Sequence, residues 1–221
     1  MDINKQCNIT VRKYKKEDRL LIRKIYYDTA FLGESAEQFF YGRDVLSDLF
    51  TVYYTDYEPE SLFVSEINGE VVGYLTGCKD IKKQKKIFMK KILPSVVIKF
   101  LLSRSILSSK NFLFLSNCLL SLFKKELITT DVSKDYPATL HINISSEYRG
   151  IGTGRKLIEA YLSYLQDEKI KGVYLTTISY NAVKFFERQG FNILSKKIIT
   201  CFSYIYPERL YRFVLGKKLT D

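Results

Sequence analysis

The stretch that most constrains this chain is a strand, a glycine-rich loop and a helix met in immediate succession. Ala138-Thr139-Leu140-His141-Ile142-Asn143-Ile144 has the β-branched, alternating character of a strand. It runs through Ser145-Ser146-Glu147-Tyr148 into Arg149-Gly150-Ile151-Gly152-Thr153-Gly154. Leu157, Ile158, Tyr161, Leu162 and Leu165 then recur at helical spacing. Gly150, Gly152 and Gly154 let the backbone come close to a ligand without side-chain clash. The helix that starts near Gly154 aims its unpaired N–H groups and the positive end of its dipole into that loop. Such a mouth binds phosphate or diphosphate, and Arg149 and Arg155 add charge at its rim. The alternating spacing of the glycines is not the dinucleotide fingerprint, and no Gly-Lys-Ser/Thr follows as a Walker loop requires.

The rest of the chain reads as mixed α/β. Ile9, Val11 and residues 12–14 suit a strand, and Glu17 or Asp18 caps a helix carrying Leu20, Leu21, Ile25 and Tyr26. A loop holds Gly33 and Glu34. Ser35 then caps a second helix through Phe39, Phe40, Val45, Leu46 and Leu49. Asn68-Gly69 between two apolar runs predicts a tight hairpin over 61–77. Beyond the loop and its helix, Gly172 leads into a strand over 173–178. A short helix over 182–188 ends at Gly190, and strands around 191–205 and 211–215 close the chain.

Charge is concentrated. Residues 79–130 hold twelve Lys or Arg against Asp80 and Glu126, so ten of the eleven net positive charges belong to that segment. It has no glycine and reads as two or three amphipathic helices, with Phe112, Leu115, Leu119, Leu122 and Phe123 on one face and Val96, Val97, Phe100 and Leu101 on another. Amphipathic helices ordinarily pack by the apolar face, which predicts a lid over a substrate cleft with its lysines solvated. The other readings are an acidic substrate or ligand phosphate drawn to residues 82–91, and an anionic surface engaged by a basic helix. No nucleic-acid-binding motif accompanies the charge, so a nucleic-acid partner is not expected.

Cys7, Cys78, Cys118 and Cys201 are far apart and His141 is the only histidine, which argues against a zinc site and a disulfide framework. No apolar run reaches the roughly 20 residues of a membrane span. Residues 1–16 lack a secretory core, so a cytoplasmic location is expected.

Arg149, Gly152 and Gly154 occupy the fixed places of Arg/Gln-x-x-Gly-x-Gly/Ala, the diphosphate loop of the GNAT acyl-CoA N-acyltransferases. Ala182-Val183-Lys184-Phe185-Phe186-Glu187-Arg188-Gln189-Gly190-Phe191 is similar to that family's downstream A-x-x-F-Y-E-x-x-G-F signature. The chain resembles the GNAT superfamily over most of its length. Residues 136–142 and the basic helical insertion resemble a bacterial subgroup related to the acetyltransferase-like domain of some O-GlcNAcases.

The resemblance implies a single domain over 1–221 with an inserted helical subdomain at about 79–130. Its fold would be α+β, with a mixed, mostly antiparallel sheet flanked by helices. Acetyl-CoA would be the cosubstrate, with no metal, and an amine the acceptor: a protein N-terminus, a lysine, a polyamine or an amino sugar. Strand 140–144 would splay from strand 173–178. The backbones of Ile142 and Ile144 would hold the pantetheine arm. The amides of Arg149, Gly150, Ile151, Gly152, Thr153 and Gly154 would hold the diphosphate. Ser179 or Asn181, with the Phe185–Phe186 helix, would flank the thiol end.

The sequence departs from the family at the tyrosine that often acts as general acid. That position is Phe186, which has no proton to give, so Tyr174, Tyr180 and Tyr204 become the alternative donors. His141 is the candidate base. It has the opposite parity to Ile142 and Ile144, so a packed strand role stays open beside the catalytic one, and Asn143 shares its parity. The substitution at Phe186 also leaves open an acyl-CoA-binding module with weak or no turnover.

Overall fold

The computed structural model describes residues 8–128 and 130–219. Residues 1–7, with Cys7 and the first part of the N-terminal segment read above as lacking a secretory core, lie outside the described residues. Seven strands form one sheet in the order β1-β2-β3-β4-β5-β7-β6. All neighbours are antiparallel except β4 and β5.

β1 (Ile9–Lys13) leads to α1 (Arg19–Thr29). Asp18 stands at the start of α1, but its carboxylate takes a two-pronged bond from Arg12 at 2.7 and 2.9 Å and the Lys15 amide at 2.8 Å. The single helix expected after Ser35 is two pieces. Ser35 Oγ caps a 3-10 turn at Ala36–Gln38, Gly42 breaks the chain at φ +122°, and α2 begins afresh at Arg43–Val52. A side chain at Gly42 would strike Ser105, so the break also admits the inserted segment.

The hairpin forms as read, β2 (Leu62–Ile67) and β3 (Glu70–Cys78) turning at Asn68 and Gly69 with φ of +53° and +82°. Tyr53, Tyr54 and Tyr57 pack on one another ahead of it. The Tyr53 hydroxyl donates to buried Glu58 at 2.7 Å, which ties this cluster into the core.

Between β3 and β4 lie α3 (Ile81–Ile87), a π turn (Phe88–Ile92), α4 (Leu93–Leu102), a 3-10 turn (Arg104–Leu107) and α5 (Ser109–Phe123). α5 reverses the expected orientation. Its inward row is Asn111, Phe114, Cys118 and Ser121, while Phe112, Leu115, Leu119, Leu122 and Phe123 are exposed. Specific partners fix that choice. The Asn111 amide donates to the carbonyls of Tyr41 and Ser105 at 2.6 and 2.8 Å and accepts from the Tyr41 amide at 2.7 Å. Phe114 meets Phe39 and Phe202 at 4.8 and 5.9 Å between ring centres. Ser121 donates to Glu126 at 2.9 Å. The predicted apolar lid face is therefore turned outward.

β4 (Ala138–Ile144), α6 (Thr153–Asp167), β5 (Gly172–Thr177), α7 (Tyr180–Arg188), β6 (Asn192–Ile199) and β7 (Leu210–Lys218) complete the chain. β6 stops at Ile199, short of the expected 205, because residues 201–205 turn back over the core with Phe202 against Phe31 at 4.9 Å. One core layer lies between the sheet and α1, α2 and the insertion; the other lies between the sheet and α6 and α7. Tyr161 of α6 is fully buried on the second face, and its hydroxyl donates to the Thr139 carbonyl at 2.8 Å. Only a glycine fits beneath it, since a Cβ on Gly77 would lie 2.1 Å from that hydroxyl.

Candidate functional site

Among the described strands β4 and β5 are the only parallel neighbours, and they pair at just Ala138↔Val173 and Thr139↔Tyr174. Beyond those rungs the strands diverge. The Ser145 amide donates to the Val72 carbonyl of β3 at 2.9 Å. Backbone groups alternate sides along a strand, so those of Leu140, Ile142 and Ile144 point the other way, into the gap. The Ile144 carbonyl already accepts from Arg149 Nε at 3.0 Å. Ile142 thus offers the gap both an N–H and a carbonyl, as a strand edge awaiting a further strand does.

The gap leads to the glycine loop. Gly150 and Gly152 have φ of +80° and +97°, and a Cβ at either would meet nothing within 4 Å. The backbone there is bare because of its conformation and open to solvent. Gly152 is the N-cap of α6. Among the described residues, no backbone N–H of residues 150–155 donates to a protein acceptor. Thr153 is buried and its hydroxyl donates to the Tyr148 carbonyl at 3.2 Å, which anchors the loop. Ile151 is exposed. Arg149 donates to the Gly33 carbonyl at 2.8 Å as well as to Ile144, so its guanidinium braces the loop against the segment after α1.

Gly154 serves another purpose. A Cβ there would lie 3.1 Å from both Ile144 Cδ1 and Phe185 Cζ and 3.7 Å from Ile142 Cδ1. Ile142, Ile144, Gly154 and Phe185 therefore converge on one apolar surface beneath the loop. Asn181 is exposed on the first turn of α7, whose N-cap Ser179 accepts from the Ala182 amide at 3.3 Å. Phe186 is buried against Phe191 at 5.4 Å between ring centres.

His141 is on the opposite face of β4, toward α1, with its ring 6.4 Å from that of Tyr26. The ring reaches solvent, but protein crowds around it. That desolvation penalises the imidazolium and holds its pKa below the ordinary value, with Asn143 pulling the other way. Asn143 is buried beside it. It accepts from the Tyr74 hydroxyl at 3.1 Å and donates to the Thr29 hydroxyl at 2.6 Å, which in turn donates to the Ile25 carbonyl at 2.6 Å. This network, unseen in the sequence, fixes the strand on which His141 stands. Tyr174, opposite Thr139 on β5, is buried in the same core layer as Tyr26, and burial pushes its pKa up to about 12. Tyr180 packs on Phe213 at 5.1 Å, and Tyr204 has a buried hydroxyl without a partner among the described residues. Glu34 is exposed, in a backbone bridge with Phe31.

Residues 125–191 match the model of the acetyltransferase (GNAT) family. The structure aligns with SsHAT at a TM-score of 0.72 and 25% identity, over 96% of this chain and 99% of that one. The chain thus has the GNAT fold, and residues 125–191 carry that family's pattern. The chain shares its fold with yncA from Salmonella typhimurium, whose structure holds acetyl-CoA (TM-score 0.56, 14% identity, 96% and 95% coverage). It also shares its fold with the Drosophila melanogaster polyamine N-acetyltransferase, which forms N-acetylagmatine (TM-score 0.59, 13% identity, 96% and 100% coverage). No curated protein matches the sequence. Among the described residues there is no cluster of side chains suited to a metal ion, and no helix is long and apolar enough to cross a membrane.

Proposed function

We propose that this protein is an N-acetyltransferase that moves an acetyl group from acetyl-CoA to an amine. The observation that carries the reading is the run of unpaired amides over 150–155, at the head of α6 and continuous with the β4–β5 gap. It fits a diphosphate joined to an extended, amide-bearing arm. On this reading the amides of residues 150–154 bind the diphosphate, the Arg149 amide being already bonded to the Ser146 carbonyl, and the Ile142 backbone pairs with the arm. Phe185 and Asn181 border the thiol end. The domain is one unit over 1–221 that carries the helices of about 79–130 as an insertion.

The bound thioester supplies an activated acetyl group. The chain's part is to hold an amine against it and to move protons. His141 suits the base. Its lowered pKa keeps it neutral near pH 7, so an imidazole nitrogen is free to take the proton the amine sheds as the C–N bond forms. Tyr174 carries its proton at neutral pH and is on the His141 side of the sheet, which makes it the candidate proton source for the departing thiolate. Phe186 cannot fill that role.

Release of coenzyme A thiol in the presence of a panel of amines tests the reading. Amine-dependent release, with coenzyme A binding detected as heat, is expected. Buried Phe186 favours the second reading, an acyl-CoA-binding module without turnover, and binding heat with no thiol release for any amine would select it.

A further inference from the structure

We propose that the outward face formed by the end of α4, the Arg104–Leu107 turn and α5 seats this protein on an anionic lipid surface. Fifteen of the twenty-four large apolar side chains exposed among the described residues lie between Met89 and Ile128. Leu102, Leu107, Phe112 and Phe123 are 84, 83, 76 and 76% exposed, the values of side chains with almost nothing against them. α5 meanwhile turns Asn111 and Ser121 to the protein interior, and Ser116 and Asn117 bond back to its own Leu113 carbonyl at 2.9 and 2.8 Å. A helix that presents Phe112, Leu119 and Phe123 to the outside is arranged for a medium less polar than water.

The charges select the medium. Cations stand at the ends of each apolar stretch: Arg104 after Leu101 and Leu102, Lys110 before Phe112, and Lys124 and Lys125 after Phe123, whereas Lys99 is paired with Asp48. Lys82, Lys83, Lys85, Lys86 and Lys90 add an exposed row on and just after α3. The two acids of the segment are turned to the backbone. Asp80 caps the Lys82 and Lys83 amides at 2.8 and 3.2 Å, and Glu126 accepts from the Thr200 amide at 2.8 Å. Apolar side chains fringed by lysine stems are the pattern that enters the headgroup layer of a bilayer while the ammonium groups meet lipid phosphates. A second copy of the chain would set the same positive fringe against itself. Nucleic acid would leave the Leu and Phe side chains without an apolar partner.

Co-sedimentation with phosphatidylcholine vesicles, with and without phosphatidylglycerol, tests the proposal. Binding is expected only with the anionic lipid and weakening as salt is raised. The double variant Leu107→Glu/Phe112→Glu should abolish it, and each of Lys85→Glu, Lys86→Glu and Arg104→Glu should weaken it by about fivefold. All these side chains are exposed, so the variants should keep the melting temperature and the coenzyme A binding heat of the parent. Failure of the parent to sediment with anionic vesicles would overturn the proposal. So would a stable dimer that the double variant turns into a monomer, or binding to nucleic acid alone.

Discussion

Arg149 Nη2 donates to the carbonyl oxygen of Gly33 across 2.8 Å, although the two residues are 116 positions apart in the chain. The same guanidinium holds the Ile144 carbonyl through Nε at 3.0 Å. The arginine of the loop thus bridges the end of β4 and the turn after α1, and its charge sits at the rim rather than pointing freely at a ligand. Arg149→Ala should weaken coenzyme A binding by roughly tenfold to a hundredfold, the worth of one or two charge-assisted hydrogen bonds. Lysine, which cannot span both carbonyls, should restore little of it. Titration calorimetry of the two variants reads the difference.

Gly152 offers a cleaner test of the loop. Its φ of +97° strains any L-residue, yet a Cβ there strikes nothing. Gly152→Val should cost the fold about 1–2 kcal/mol, the scale of a side chain forced into left-handed backbone. It should remove coenzyme A binding outright by covering the amides. A melting curve close to the parent's beside a flat titration is the expected pair of results.

His141 ties activity to pH. Because its folded pKa lies below the ordinary value, the imidazole is neutral in the folded protein at pH values where a free histidine is already charging. The acid limb of the rate should therefore lie at lower pH than an ordinary histidine would give. His141→Gln should lower kcat/KM by about 10²- to 10⁴-fold and erase that acid limb. Linkage has the same sign. The unfolded chain binds the proton first, so the histidine's contribution to stability is complete above its unfolded pKa and is lost as pH falls through the folded one. Denaturant melts of parent and variant should converge in the acid range.

Much of the architecture was legible because it is local. Asn68-Gly69 dictates its hairpin, and Gly150 and Gly152 announce the loop before α6 by their spacing alone. The reversal of α5 was not legible. Periodicity finds two faces of a helix, but which one turns inward depends on what waits there, and Phe39, Phe202 and the Tyr41 backbone come from distant parts of the chain. The helix expected after Ser35 failed for a related reason. Phe39 and Phe40 keep the helical spacing, but Gly42 interrupts it to make room for Ser105 of the insertion. Of the site, the glycine loop and Ile142 could be read from pattern, whereas the brace from Arg149 to Gly33 and the bonds behind His141 join residues too far apart for any pattern to link.

Those bonds make Asn143 a structural test. Replacing it with alanine leaves the buried Tyr74 hydroxyl without its acceptor and Thr29 without its donor. Asn143→Ala should cost about 2–4 kcal/mol, the desolvation penalty of two stranded groups. It should also disturb His141 enough to shift the acid limb of the rate profile. Urea unfolding gives the first and the pH profile the second.

The divergence of β4 and β5 gives the sheet an edge in its own middle. Amide protons at the heart of a seven-stranded sheet ordinarily exchange with solvent deuterium only when the domain unfolds. Here the Ile142 proton faces an opening, so it should exchange at the pace of a loop while its neighbours Asn143 and His141, bonded to β3, stay locked for far longer. Adding coenzyme A should erase that contrast, because a ligand lying along the edge takes the place of the missing strand.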